Sequence, residues 1–238
     1  MADYSRFLAR HLESENNLKL LEETYRLRYQ VYCQESGFLP EEPYKADGLE
    51  SDVFDEKSEH IIVEEKASAA APLLCGTIRL VHYSNELGLP TRHFFPDLDT
   101  ILPDVPRDEI GEISRLCISK NYRRRLSDGL YGIESYTGEA QHKRRKYPIV
   151  LILLFRKMYL VSQRVGIKYW LATIEERLAE VLAKYSIHLN PLMDGFIDYY
   201  GAVRPYFGQI NEIRDVMFKE NPYFCEFFEN DESGKPLL

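Results

Sequence analysis

The 238-residue chain is 45% apolar and 29% charged, with a formal charge of −8, which is globular composition rather than that of a fibre or a disordered chain. The charge argues against a protein whose whole surface tracks nucleic acid or an anionic membrane, and the length suffices for a core that needs no staples. Cys33, Cys75, Cys117 and Cys225 stand far apart with no CxxC or metal-ligand spacing, so they are read as reduced packing residues of a cytoplasmic protein.

The opening stretch MADYSRFLARHLESEN has no long apolar region and is not expected to act as a secretory signal. From Asn17 to about Gln34, Leu18, Leu21, Tyr25 and Tyr32 fall at helical spacing, which predicts an amphipathic helix. Steps of three and four also put Arg28 on its apolar stripe. A polar loop over 36–58 holds Pro40, Pro43 and Gly48 and four carboxylates, Glu50, Asp52, Asp55 and Glu56. His60–Glu65 and Gly76–Tyr83 read as the two strands of a hairpin. A Pro-rich segment over 88–108 leads to a strand at 111–119, GEISRLCIS.

Residues 120–146 show no periodicity and read as a basic insertion loop. Pro148 opens an apolar helix to about Val165, closed by Gly166. Its longest apolar run, Ile149 to Phe155, is too short for a bilayer that needs about 20 apolar residues. Lys168–Ile174 reads as a buried strand, Glu176–Tyr185 as a helix, Phe196–Val203 as a strand and Ile210–Phe218 as a last helix. The expected fold class is α/β (α+β): one domain over 1–228 with a mixed, mostly antiparallel sheet flanked by helices on both faces, and a disordered acidic tail over 229–238.

Four cations and anions resist a surface reading: Arg28 on its apolar stripe, Arg79 inside GTIRLVHY, and Glu112 and Arg115 inside one strand. Residues three apart on a strand point to opposite faces. A bulge between Glu112 and Arg115 is therefore expected, or a place for Glu112 at the strand's mouth. Three buried arginines need carboxylates, and Asp52, Asp55 and Glu112 would balance Arg28, Arg79 and Arg115. On charge arithmetic alone, the favoured reading is a network that only pins the loop. Glu50, Asp52, Asp55 and Glu56 lack the pattern of a calcium loop, and no metal is expected.

The pattern Arg28-x-x-x-Tyr32, Glu50-x-Asp52-x-Phe54-Asp55, Gly76-x-x-Arg79-Leu80 and Glu112-x-Ser114-Arg115 resembles the signature of LuxI-type autoinducer synthases and related N-acyl amino acid synthases. The segments LRYQVYCQESGF, EISRLCISKNYRRR, IEERLAEVLAKYSI and FIDYYGAVRPYF resemble acyltransferases associated with the PEP-CTERM/exosortase system. The resemblance implies a GNAT-like acyltransferase fold. It also implies transfer of a fatty acyl group from an acyl carrier protein or CoA thioester to a small amine such as an amino acid. Alternatives are a homoserine-lactone synthase using S-adenosylmethionine and a non-catalytic acyl-carrier-binding module.

The resemblance maps Arg28, Tyr32, Phe38, Asp52, Asp55 and Arg79 to the amine-substrate pocket, and Glu112 and Arg115 to catalysis. Lactone synthases usually have Phe in place of Tyr32 and Trp in place of Phe38. Glu112 either takes the proton of the amine or holds the ammonium beforehand, and backbone N–H groups near Arg115 to Cys117 are candidates for the oxyanion. No tightly bound cofactor is expected; the acyl-phosphopantetheine thioester is a co-substrate.

Arg123, Arg124, Arg125, Lys143, Arg144, Arg145 and Lys146 stand against Asp128, Glu134 and Glu139, a net +4 inside an acidic protein. An acidic acyl carrier protein would be steered to that segment. A solvated loop or weak contact with an anionic membrane surface are its alternatives, and nucleic acid is disfavoured because aromatic stacking positions are sparse.

Overall fold

In the computed structural model, residues 6–13, 17–66, 72–122 and 149–230 are described. The strands are β1 (Phe7–Leu12), β2 (Ser58–Glu65), β3 (Leu73–His82), β4 (Ile110–Ile118), β5 (Tyr169–Ile174), β6 (Asn190–Pro191), β7 (Ile197–Asp198) and β8 (Ala202–Gln209). The helices are α1 (Leu18–Arg28), α2 (Leu98–Ile101), α3 (Ile149–Val165), α4 (Glu176–Ala183), α5 (Ile210–Glu220) and α6 (Pro222–Glu229). Strand order is β1-β2-β3-β4-β5-β8-β6, with β7 paired to β8. β4 and β5 run parallel from Ile110↔Tyr169 to Ile113↔Ala172. The pairs β1/β2, β5/β8, β6/β8 and β7/β8 are antiparallel. The mixed, mostly antiparallel sheet is thus as the element order predicts.

The described residues group into two compact units. The first draws on Met1–Asp52, His60–Ile78 and Arg115–Lys157, the second on Val53–Glu59, Arg79–Ser114 and Met158–Leu238.

In the first unit, α1 gives way at Tyr29–Glu35 to a π-helical turn, so the predicted single helix to Gln34 changes register after Arg28. Such turns cluster at functional sites. Leu27, Tyr29, Val31, Tyr32, Cys33, Leu39 and Cys117 form its core. Cys33 and Cys117 serve there as small apolar side chains. Gly76 has no room for a Cβ, which would lie 2.9 Å from Val150 Cγ1 and 3.0 Å from the Cys117 carbonyl oxygen.

In the second unit, the segment read as merely Pro-rich carries core. Leu89, Phe95, Leu98 and Leu102 pack with Ile110 and Leu171. Gly111 lets β4 lie close to Leu80 and Ile167, because a Cβ there would stand 2.6 Å from Leu80 Cδ1 and 3.0 Å from Ile167 Cγ2. The α3 helix stops as expected: Gly166 takes φ 80°, and the Ile167 N–H donates back to the Ser162 carbonyl at 2.9 Å, the pairing of a Schellman cap.

Three expectations change. The strand read over Phe196–Val203 is the tip of the hairpin between β7 and β8, turned at Tyr200 (φ 54°) and Gly201 (φ 132°); the long strand is Ala202–Gln209. The helix α6 occupies ground left without structure, with the Asn221 side chain accepting from the Phe224 N–H at 3.2 Å, an N-cap. It reaches Glu229, the first residue assigned to the tail, which Arg214 holds in an ion pair. Of the insertion, Lys120–Tyr122 forms a 3₁₀ turn whose Tyr122 hydroxyl donates to Glu65. The seven basic residues from Arg123 to Lys146 lie outside the described residues. No described helix is long and apolar enough to cross a membrane.

Candidate active site

In the first unit a four-charge cluster forms around Glu50, with Arg28 and Glu50 buried and Arg115 and Asp52 partly so. The polar loop is turned at Gly48 (φ 69°), and the Asp47 side chain accepts from the Leu49 N–H at 3.0 Å. The Glu50 N–H then donates to the Tyr25 carbonyl at 3.1 Å, which sets the Glu50 carboxylate beside the last turn of α1. There Arg28 Nε donates to Glu50 Oε2 at 2.5 Å, and both side chains are fully buried. Arg115 Nε donates to Glu50 Oε1 at 3.0 Å, and its Nη2 to Asp52 Oδ2 at 2.7 Å. The Arg28 guanidinium also lies over the Tyr25 ring, 5.1 Å from its centroid, a cation–π contact.

Two guanidiniums against two carboxylates satisfy the cost of burying charge. Burial works against the Arg115 charge, and Glu50 and Asp52 outweigh it, so its pKa is raised above the ordinary arginine value. Arg115 takes φ 51°, a break inside β4 of the kind that the spacing of Glu112 and Arg115 called for. Ser114 and Arg115 are consecutively half-buried amid buried neighbours, so the strict alternation of a strand fails there.

Tyr32 and Phe38 stand together, ring centroids 5.8 Å apart. The Tyr32 hydroxyl donates to the Leu116 carbonyl at 2.7 Å, a tie that a phenylalanine cannot make.

In the second unit, Asp55 opens a 3₁₀ turn and accepts from Arg79 Nη1 at 2.7 Å, both side chains being buried. Arg79 Nε donates to Ser114 Oγ at 3.0 Å. Glu112, 3% exposed, accepts the Thr91 N–H on both carboxylate oxygens, at 3.0 and 2.9 Å, and the Thr91 hydroxyl at 2.9 Å. Thr91 Oγ1 lies 2.7 Å from Thr173 Oγ1 on β5.

The expected residues therefore fall into two groups, Arg28, Tyr32, Phe38, Asp52 and Arg115 in the first unit, and Asp55, Arg79 and Glu112 in the second. The carboxylate given to Glu112 in the charge balance is supplied at Arg28 and Arg115 by Glu50. Three further participants were missed: Ser114, Thr91 and Thr173. Thr173 is the one aliphatic hydroxyl in the run YWLATI, a visible signal; nothing in PTRH marks Thr91. Arg204, left unassigned by the sequence, ties β8 to α4 through Glu176 and lies over the Phe196 ring.

Residues 27–131 match the family model described as an acetyltransferase (GNAT) domain. The crystal structure of the AHL synthase LasI is 14% identical and covers 90% of this chain and 95% of its own, with a TM-score of 0.60. The fold is GNAT-like. The same GNAT-like arrangement appears in the CoA-dependent acyl-homoserine lactone synthase BjaI, solved with SAM and isopentyl-CoA, at 17% identity, 90% and 89% coverage and a TM-score of 0.61. It appears again in FeeM, an N-acyl amino acid synthase from uncultured soil microbes, at 14% identity, 90% and 96% coverage and a TM-score of 0.57. A comparison with curated proteins finds no match.

Proposed function

We propose that this chain is an N-acyltransferase that moves a fatty acyl group from a thioester, on acyl carrier protein or CoA, to the amine of a small acceptor such as an amino acid. The observation that carries the reading is Glu112, a buried carboxylate held by both donors of Thr91 in a GNAT-like fold. The reaction needs a group that accepts a proton from an amine whose ordinary pKa is about 7.7–8.0. Glu112 serves as that acceptor. In the first unit the Arg28–Glu50–Arg115–Asp52 cluster holds the charged part of the amino acid, with Tyr32 and Phe38 as an apolar wall; in the second, Asp55 and Arg79 brace the strand of Glu112 through Ser114. Backbone N–H groups at the left-handed break of Arg115 stabilise the oxyanion, a contribution of about 10²–10³ in rate.

A lactone synthase using S-adenosylmethionine is the second reading, favoured by the likeness to the lactone synthases LasI and BjaI. Against it stands Tyr32, whose hydroxyl is committed to the Leu116 carbonyl where lactone synthases usually have Phe. Within the first reading, the four quoted segments support membership of the PEP-CTERM/exosortase-associated group. The basic segment 123–146 supports an acidic acyl carrier as donor, and four cysteines without pair or metal spacing support a cytoplasmic site of action.

The test is thiol release by purified protein from acyl-CoA and acyl-acyl carrier protein, with mass spectrometry of the products. N-acyl amino acids support the proposal, and an acyl-homoserine lactone supports the second reading. Tight binding of acyl carrier with no thiol release from any amine makes the chain a binding module instead.

A further inference from the structure

We infer that Thr173 is the group that takes the proton from the acceptor's ammonium, and that Thr91 passes it on to Glu112. This rests on the acyltransferase reading above, and it assigns the step that Glu112 performs to a chain of two hydroxyls. The direction of the chain follows from counting hydrogens. As the proton acceptor of the reading above, Glu112 starts as a carboxylate with no hydrogen to give, and it accepts the Thr91 N–H on both oxygens. The single hydroxyl hydrogen of Thr91 therefore points to Glu112 Oε1 at 2.9 Å.

Thr91 Oγ1 has only lone pairs left for its other neighbour. Across the 2.7 Å contact, Thr173 must donate and Thr91 must accept. With its own hydrogen turned inward, Thr173 offers the outside only an acceptor.

Burial says which member meets the substrate. Thr91 is fully buried and Glu112 is 3% exposed, whereas Thr173 is half-buried. Thr173 follows the last residue of the β4/β5 register, Ile113↔Ala172, and stands opposite Pro205 of β8, which brings no N–H. A group that shows only an acceptor, with a negative charge behind it, suits a donor of positive charge. An ammonium is that donor.

The ammonium gives one proton to Thr173 Oγ1 while the Thr173 hydrogen moves to Thr91 Oγ1 and the Thr91 hydrogen to Glu112, which becomes a carboxylic acid. The freed amine lone pair attacks the thioester carbonyl carbon, forming the C–N bond. The C–S bond breaks, and the sulfur takes the second nitrogen proton and leaves as thiol. When products depart, the proton on Glu112 returns along the same hydroxyls to solvent.

The experiment measures thiol release from octanoyl-CoA and octanoyl-acyl carrier protein with a mixture of the twenty amino acids. Wild type is compared with Thr173→Val, Thr173→Ala, Thr173→Ser and Thr91→Val, with thermal melting as the check on folding. Thr173→Val keeps shape and removes the hydroxyl, so kcat/KM is expected to fall by about 10²–10⁴, with Thr173→Ser restoring it to within about tenfold. The dependence of kcat on D₂O fraction is expected to be curved in wild type, from several protons in flight, and straight in Thr173→Val. If Thr173→Val or, where that variant fails to fold, Thr173→Ala keeps activity within about threefold, the relay is overturned. The same holds if Thr173→Ser loses as much as Thr173→Val. If wild type releases no thiol with any acceptor, the acyltransferase reading falls and the relay with it.

Discussion

Removing the charge of Glu50 while keeping its shape is the sharpest probe of how the first unit is held together. In Glu50→Gln, Arg28, fully buried, keeps its charge and loses the carboxylate at 2.5 Å, and Arg115 loses its contacts at 3.0 and 3.2 Å. Breaking a buried ion pair from one side costs about 3–5 kcal/mol, a large share of the roughly 5–15 kcal/mol that holds a domain folded. For a chain of this length that predicts a fall in Tm of about 6–20 °C. The assay is urea and thermal unfolding followed by circular dichroism, with Glu22→Gln as control. Glu22 pairs with Arg26 at 2.7 Å on an exposed helix face, where such pairs contribute about 0.3–0.5 kcal/mol. Adding Arg28→Met to Glu50→Gln removes the buried charge that has lost Glu50, so the double variant is expected to lose less than the two single losses together. Should Glu50→Gln cost no more than Glu22→Gln, the cluster is not held by buried charge pairing and the reasoning fails.

Tyr32→Phe leaves the Leu116 carbonyl without the donor now at 2.7 Å, and a loss of about 1–3 kcal/mol is expected; an unchanged urea midpoint would contradict that role. Gly111→Ala drives a methyl to 2.6 Å from Leu80 Cδ1 and 3.0 Å from Ile167 Cγ2, an overpacking of about 1–3 kcal/mol that calorimetry should register. Burial first, and then Glu50 and Glu41, push the Cys33 thiol up to about 11, and burial pushes Cys75 up to about 12. Both should resist a thiol reagent at pH 8 until the chain unfolds. Unfolded thiols ionise near pH 8.5, so above about pH 9 the unfolded state holds fewer protons than the native one, and stability falls as pH rises. Each thiol contributes a slope of about 1.4 kcal/mol per pH unit. Cys75→Ala should remove its share, and an identical alkaline slope in that variant would refute the assignment.

Much of the fold was legible in the residues. The strands β2 and β3, the apolar helix α3 with its glycine stop and the strand β4 all follow from period and punctuation, because these signals are local. The β8 strand was placed too early, since Tyr200-Gly201 reads as part of an apolar run until left-handed backbone at both residues turns the chain. The helix α6 was missed because PYFCEFFE carries too short a pattern, and what orders it is Asn221 at its start and packing by Cys225 and Phe228. The candidate site was partly legible for the same reason. Arg28, Arg79, Glu112 and Arg115 stand out because charges on apolar faces must be explained.

Which partner answers which charge was a tertiary matter. The sequence by itself determined that buried arginines would need carboxylates from the loop over 50–56, since an isolated buried charge is too costly for any fold to carry. Only the tertiary structure decided that Glu50 is shared between Arg28 and Arg115, and that Glu112 is held by a threonine 21 positions away whose hydroxyl leads to another on β5. Hydrogen-bond partners are chosen by distances of tenths of an ångström, which chain folding sets and residue spacing does not.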